Sequence, residues 1–287
     1  MSGAARAAPS GTVMSRGGRI GRIGVNLLAT GSMLYLFLPI FVIVAFSFNA
    51  PKGRFNAVWQ SFTFDNWMHP FAQRALVDAL ILSLKIGLIA SLVATVLGTF
   101  MAIALVRYRF RGSGTVNFLV VLPLTTPEIV LGASLLTLFL EPHLITGNHQ
   151  FALGFGTVLI AHIMFCVSYV AMTVKARIRG FDWSLEDAAM DLGATPTRTF
   201  LRVTLPLIAP GIFAAFLLAF ALSIDDFIIT YFVSGNAQTF PVQIFGQSRV
   251  GTPPQINVLA SMILFGSIAV MAIASILGAR RQRRLGL

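Results

Sequence analysis

Charge is scarce in this chain: 11% of its 287 residues are Asp, Glu, Lys or Arg, against about 25% in soluble domains. With 56% hydrophobic residues and a mean hydropathy of +0.82, that shortage excludes an ordinary soluble globular domain and points to a bilayer. The net charge of +11 does not imply a nucleic-acid partner, because the positive residues flank apolar runs instead of forming one patch. Cysteine is nearly absent. Cys166 sits inside an apolar run and supports no disulfide framework or paired metal motif, so it reads as inert packing. The four histidines, His69, His143, His149 and His162, share no ligand spacing, which removes the sequence case for a metal site. Lysine occurs only at Lys52, Lys85 and Lys175, and none follows a glycine. No phosphate-binding loop G-x-x-x-x-G-K-[ST] is therefore possible, and any ATP hydrolysis must belong to another chain. Repeats at solenoid periods and long low-complexity tracts are also missing.

What is present is a series of apolar runs long enough to cross a membrane, each needing roughly 20 residues. They fall at about Val25–Phe48, Ala79–Val106, Phe118–Leu140, Phe155–Val174, Leu207–Ile229 and Ile256–Ala279. The fold class expected is an all-α integral membrane protein with six transmembrane helices. Orientation follows from the basic residues. With both termini in the cytoplasm, 16 of the 21 Lys and Arg residues face that side, including Arg6, Arg107, Arg109, Arg111, Arg198 and Arg202. The reverse topology would violate the positive-inside rule, so N-in and C-in is expected. The first run has the basic flank of a signal peptide but is longer than a usual h-region and lacks a clear cleavage site, so it reads as a retained anchor. Residues 1–23 are expected to be a disordered cytoplasmic tail, residues 24–279 the six-span domain, and residues 280–287 a basic cytoplasmic tail.

Between the fourth and fifth runs lies a basic loop, residues 175–206. Ser184 is the expected N-cap of a short helix, with Asp187 as the acid of a capping box. Glu186 and Asp187 suit the positive end of that helix. Gly193 suits its left-handed stop. Thr195 is then expected to cap a second helix that opens with Pro196, and Leu205-Pro206 to mark the start of the fifth span. Small Ala188 and Ala189 allow another surface to approach closely. An ordinary cytoplasmic loop carries similar caps. A DNA-reading helix-turn-helix is poorly served by two membrane tethers.

Acids inside the apolar runs are the other informative residues. Asp225 and Asp226 lie near the outer third of the fifth run, and Glu128 follows Pro127 near the middle of the third. A charge at mid-bilayer costs about 2.5–3.5 kcal/mol on insertion scales, so such acids need a water-lined cavity, a cation or a hydrogen-bonding partner. Pro123 and Pro127 should loosen the third span, and loosened backbone at that depth lines protein or water. The three acids are candidates for a translocation path; helix capping and inter-span bonding are the competing roles. His162 reads as a satisfied packing histidine. Phe55, Trp59, Phe62, Phe64 and Trp67 in the first outer loop suit either an interfacial belt or the docking of a partner. Aromatics and carboxylates together would suit an alkylammonium guest.

Taken whole, the loop spells Asp187-Ala188-Ala189, three residues, Gly193, nine residues, then Val203-x-Leu205-Pro206. This resembles the E-A-A-x3-G-x9-I-x-L-P signature of ABC importer permeases, with Asp for Glu and Val for Ile. In that family the loop is the helix that docks on the ATPase subunit. Phe62–Trp67, Leu122–Leu136, Leu222–Gly235 and Phe240–Ser261 further resemble the second permease subunit of spermidine/putrescine ABC importers; about the first 23 residues lie outside the likeness. The resemblance implies a type I ABC importer permease fold in a bacterial cytoplasmic (inner) membrane. It implies a second permease subunit completing a heterodimer, two ATPase subunits and an extracytoplasmic substrate-binding protein. It also implies no cofactor in this chain, with ATP and Mg on the partner ATPase, and no covalent chemistry here. Its coupling residues would be Glu186, Asp187, Ala188, Ala189, Gly193, Leu205 and Pro206. Related permeases carry other solutes, such as opines, aminoethylphosphonate or metal complexes. A self-sufficient secondary transporter, with an inverted repeat, is the reading from another class.

Overall fold

The computed structural model describes residues 16–108, 110–141 and 152–284. Arg6, Arg109, His143 and His149 lie outside the described residues, as do most of the expected N-terminal tail and residues 285–287 of the C-terminal one. Among the described residues the fold is helical and contains no strand; an isolated antiparallel bridge joins Asn49 and Phe62. The chain divides into two compact units, Met1–Pro70 with Pro253–Leu287, and Phe71–Thr252.

The first unit opens with α1 (Arg16–Phe46), whose stretch Gly24–Phe46 is long and apolar enough to cross a membrane. A compact turn follows, leading to the short α2 (Asp65–Met68). Three buried asparagines organise this turn, because short amides satisfy backbone groups that no regular element pairs. Asn49 Nδ2 donates to Asn56 Oδ1 at 2.6 Å, and Asn66 Nδ2 donates to the carbonyls of Ser47 and Asn49 at 3.1 and 2.8 Å. Phe48 stacks against both Phe62 and Trp67, with centroids 5.6 and 5.4 Å away, while Phe55 and Trp59 stay exposed.

The second unit is built on α3 (Arg74–Arg107), which presents Gly87, Ala90, Ala94, Gly98 and Ala102 on its buried face. Small residues matter here because helices in lipid gain little from apolar burial and associate through close packing. A Cβ added at Gly98 would come within 2.7 Å of Val170 Cγ1. Val170 belongs to α6 (Phe155–Ile178), the most buried of the long apolar helices.

Between α3 and α6 the third expected span is not continuous. It consists of α4 (Ser113–Thr125) and α5 (Glu128–Leu140), bent by 110°. The cause is Pro127, which drives Thr126 out of the helical region to ψ 132°. The Thr125 and Thr126 hydroxyls both donate to the Leu122 carbonyl, at 3.1 and 2.7 Å. Glu128 consequently opens α5, where the helix dipole favours an acid, instead of lying within one continuous span.

After α6 come α7 (Ser184–Asp191), α8 (Pro196–Thr199), a π-helical segment (Phe200–Thr204) and α9 (Leu205–Asp225). From Pro196 to Asp225 these form one continuous helix of 30 residues. Pro206 explains the π segment: it has no N–H to donate and its ring crowds the preceding turn. The turn widens, and Leu205 N–H reaches back to Phe200. The fifth span ends at Asp225 and not Ile229 as expected, because Asp226 turns extended before α10 (Ile228–Val233). Then α11 (Phe240–Ser248) closes the unit; its first amide donates to Ser83 Oγ of α3 at 2.8 Å. The core gathers Ile86 and Ala94 of α3, Phe165 and Val170 of α6, Ala219 of α9 and Ile229 of α10.

The chain returns to the first unit with α12 (Pro254–Arg284), which is apolar over Pro254–Ala269. By length and composition, four helices can cross a membrane among the described residues, or five if α4 and α5 form one broken span.

Gly98→Ala is expected to overpack the contact between α3 and α6, costing about 1–3 kcal/mol and lowering the thermal midpoint in mild detergent. Gly24→Ala, with nothing within 4 Å of the added atom, should leave it unchanged. Equal midpoints for the two variants would contradict the close approach.

Candidate functional site

Two polar constellations stand out in the second unit: the loop after α6, and a buried junction where α9 ends.

In the loop, Asp182 rather than Ser184 caps α7. Its Oδ1 accepts the Ser184 N–H at 3.1 Å, so Ser184 is already the first helical residue. The expected stop is in place. Gly193 has φ +84°, a conformation that costs a side-chain-bearing residue roughly 1–2 kcal/mol. Gly193 N–H donates to the Met190 carbonyl at 2.9 Å and Ala194 N–H to that of Ala189 at 3.1 Å, closing the helix. Thr195 and Pro196 open α8 as the sequence suggested. Asp187 and Ala188 are exposed, and Leu192 is 89% exposed. A shallow cleft of about 300 Å³ lies beside them, lined by Ala189, Leu192, Gly193, Ala194, Arg198 and Arg202 among others. Pro206 is exposed and Leu205 partly buried at the head of α9.

Glu186 departs from this outward group. It is 4% exposed and points back into the unit. Its Oε2 lies 2.9 Å from Arg107 Nη2, and its Oε1 accepts from Arg107 Nη1 at 3.2 Å. The Thr204 hydroxyl also donates to Oε1. The Arg107 guanidinium sits 5.4 Å above the Trp183 ring. A carboxylate taken out of water needs such partners, and a bidentate guanidinium is the strongest available.

At the second constellation the two adjacent acids part. Asp225 is exposed, while Asp226 is buried. Asp226 Oδ2 accepts from Thr230 N–H at 2.8 Å and Thr230 Oγ1 at 2.7 Å, so it caps α10. His162 Nε2 lies 3.3 Å from the same oxygen and 2.8 Å from Thr230 Oγ1. With the proton on Nε2, Nδ1 is free to accept from Ser223 Oγ at 2.6 Å. His162 is thus a fully partnered core residue tying α6 to α9 and α10. Glu128 is exposed at the start of α5 and takes no part in this network's hydrogen bonds. The structure does not bring the three acids together as one cluster. Among the described residues no group of three or more His, Cys, Asp or Glu is arranged to hold a metal.

The family model described as "Binding-protein-dependent transport system inner membrane component" matches residues 94–285. The chain belongs to this family. As a binding-protein-dependent inner membrane component it is a membrane permease, and its cellular place is the inner membrane. It is 41% identical over 254 residues to the putrescine transport system permease protein PotI of Escherichia coli strain K12, covering 87% of this chain and 89% of PotI. The spermidine/putrescine transport system permease protein PotC of Haemophilus influenzae is 36% identical over 244 residues, covering 85% of this chain and 91% of PotC. Among solved structures, a bacterial ABC transporter involved in import of the acidic polysaccharide alginate superposes with a TM-score of 0.70 at 17% identity. It covers 92% of this chain and 96% of that one, a likeness of fold.

Within this inner membrane component, sequence reasoning missed Arg107 and Thr204, the partners of Glu186. Arg107 lies 79 residues away and looks like any positive-inside residue, and Thr204 lies 18 residues on, beyond the reach of one helical turn. Asp226→Ala is expected to cost about 1–3 kcal/mol, because the buried Thr230 N–H and hydroxyl lose their acceptor, seen as a lowered unfolding midpoint in detergent. Asp225→Asn should change stability by no more than about 0.5 kcal/mol, as at an ordinary exposed site. Equal losses would mean that both acids are structural.

Proposed function

We propose that this chain forms half of the translocation path of an ATP-driven ABC importer for polyamines of the putrescine and spermidine type. It pairs with a different permease subunit, engages two ATPase subunits, and receives its solute from an extracytoplasmic binding protein. ATP and Mg are held by the partner ATPase, and this chain performs no bond chemistry. The names of its relatives at 41% and 36% identity support the substrate class. The family description supports the binding protein.

The observation that carries the coupling role is the outward knuckle formed by α7 and Gly193. Asp187, Ala188 and Gly193 are exposed and Ala189 is half-buried, a small surface at the cleft. Leu205 and Pro206 begin the helix that carries its displacement into the membrane. Closure of the ATPases around ATP pushes on this knuckle, and the spans rock between inward and outward access. The topology in this reading is six spans with both termini cytoplasmic, α4 and α5 together making one broken span. The charge asymmetry across the membrane supports it.

Asp225 and Glu128, both exposed, are the acids assigned to the path, where water and a cationic guest relieve their charge. Asp226 holds its end of α9 in place from inside. The basic residues Arg177, Arg179, Arg198 and Arg202 follow positive-inside placement and favour the anionic inner leaflet.

Uptake of labelled putrescine and spermidine, by cells with and without the gene, tests the reading. Loss on deletion, restored by the intact chain, is expected. Uptake unaffected by deletion, in cells with no redundant system, would move the substrate to another solute. A Cβ at Gly193 meets nothing within 4 Å, so Gly193→Val acts first through the left-handed backbone, which it strains by at least about 1–2 kcal/mol. It should insert in the membrane at normal levels and fail to restore uptake; normal uptake would remove the coupling role of this loop.

A further inference from the structure

The Glu186 carboxylate is the least expected group in the loop. It is nearly buried on a segment whose neighbours Leu185, Asp187 and Ala188 are all exposed. Burying a charge on a loop that water reaches needs a reason. Stability is a poor one, because desolvation offsets much of what a buried ion pair gains. The better-attested use of such a pair is to fix one arrangement among several.

The arrangement fixed here joins three elements. Arg107 is the last residue of α3. Glu186 lies in the first turn of α7. Thr204 is the last residue of the π segment that leads into α9. One carboxylate therefore holds the docking helix to the ends of two apolar helices. The grip is directional: the guanidinium meets both carboxylate oxygens at 2.9 and 3.2 Å, and the Trp183 ring lies under it at 5.4 Å. A bidentate pair of this kind resists rotation as well as separation. The third contact falls on the only stretch of the Pro196–Asp225 helix described as π-wound. Such widened turns are frequent at functional sites.

We propose that Glu186 is a positioning residue for energy coupling: an internal latch through which displacement of α7 reaches α3 and the π turn before α9 together. This rests on the importer reading above. In it Asp187, Ala188, Ala189 and Gly193 meet the ATPase, while Glu186 meets only its own chain. Removing the latch leaves the docking surface in place and disconnects it from the spans.

The test uses the whole complex in proteoliposomes: this chain with its partner permease, ATPase and binding protein, and labelled putrescine as solute. The readout is solute imported per ATP hydrolysed. A variant that only lowers the folded fraction reduces both quantities in proportion and leaves their ratio unchanged. Glu186→Gln keeps the shape and one acceptor oxygen but loses the charge. It should co-purify with its partners and lower the ratio by about tenfold, within the range by which coupling networks are altered. Arg107→Lys keeps the charge and loses the bidentate fork, and should lower the ratio by a smaller factor. A wild-type ratio in an assembled Glu186→Gln complex overturns the latch. Failure of both variants to assemble also overturns it, since the pair would then be a folding element. A wild-type complex that moves no putrescine with ATP overturns the importer reading, and the latch with it.

Discussion

In hydrocarbon, every backbone N–H and C=O must find its partner inside the protein, because there is no water to supply one. Most of this chain meets that demand by staying helical for long stretches. The places where it does not are the places where the fold acquires its character. At Thr126–Pro127 the helix breaks by 110°, and threonine hydroxyls gather on the Leu122 carbonyl. At Asp226–Phe227 the helix stops again, and a carboxylate supplies acceptors for the amides that begin α10. Around Pro206 the helix widens instead of breaking. Polar side chains thus collect where the backbone is interrupted, and the two constellations of interest lie beside such interruptions.

Close packing is the second consequence of the same solvent. The small residues on the buried face of α3, which meet α6 at Gly98 and α9 at Gly87, have little apolar burial to gain, since lipid is as apolar as leucine; this close packing brings backbones together and makes the α3–α6 pair a rigid spine. Against that spine α9 packs along its length, and polar contacts pin particular points: His162 bonds Ser223 of α9 and Thr230 of α10 and lies against Asp226 between them, while Arg107 holds Glu186 of α7. A scaffold with a stiff centre and a small number of polar fasteners is suited to moving as a body.

Much of this was legible in the sequence. Apolar runs gave the helices, and the left-handed requirement at Gly193, with Thr195 and Pro196, gave the turn in the loop. These signals are local, set by residues within one helical turn of each other. What was not legible depended on distant partners. Glu186 and Asp187 are chemically alike and adjacent, and nothing nearby says that one turns inward. That is decided by Arg107, 79 residues away. Asp225 and Asp226 pose the same problem, resolved by His162 on another helix. Ser184 was taken for a cap because it has the right chemistry; Asp182, two residues earlier, forms the bond. The prolines of the third run were read as loosening it, yet Pro123 lies within α4 while Pro127 ends the helix, a difference of context and not of residue type.

The continuous helix from Pro196 to Asp225 has a mechanical meaning. Its 30 residues make a rod about 45 Å long at 1.5 Å per residue. The 21 residues of α9 beyond the π turn form an arm of about 31 Å. A tilt of only about 5° at that fulcrum swings the far end, where Asp225 sits, by about 3 Å. That distance is comparable to a hydrogen bond, so in the proposed importer a small push at one end of this helix would make or break a polar contact near the other.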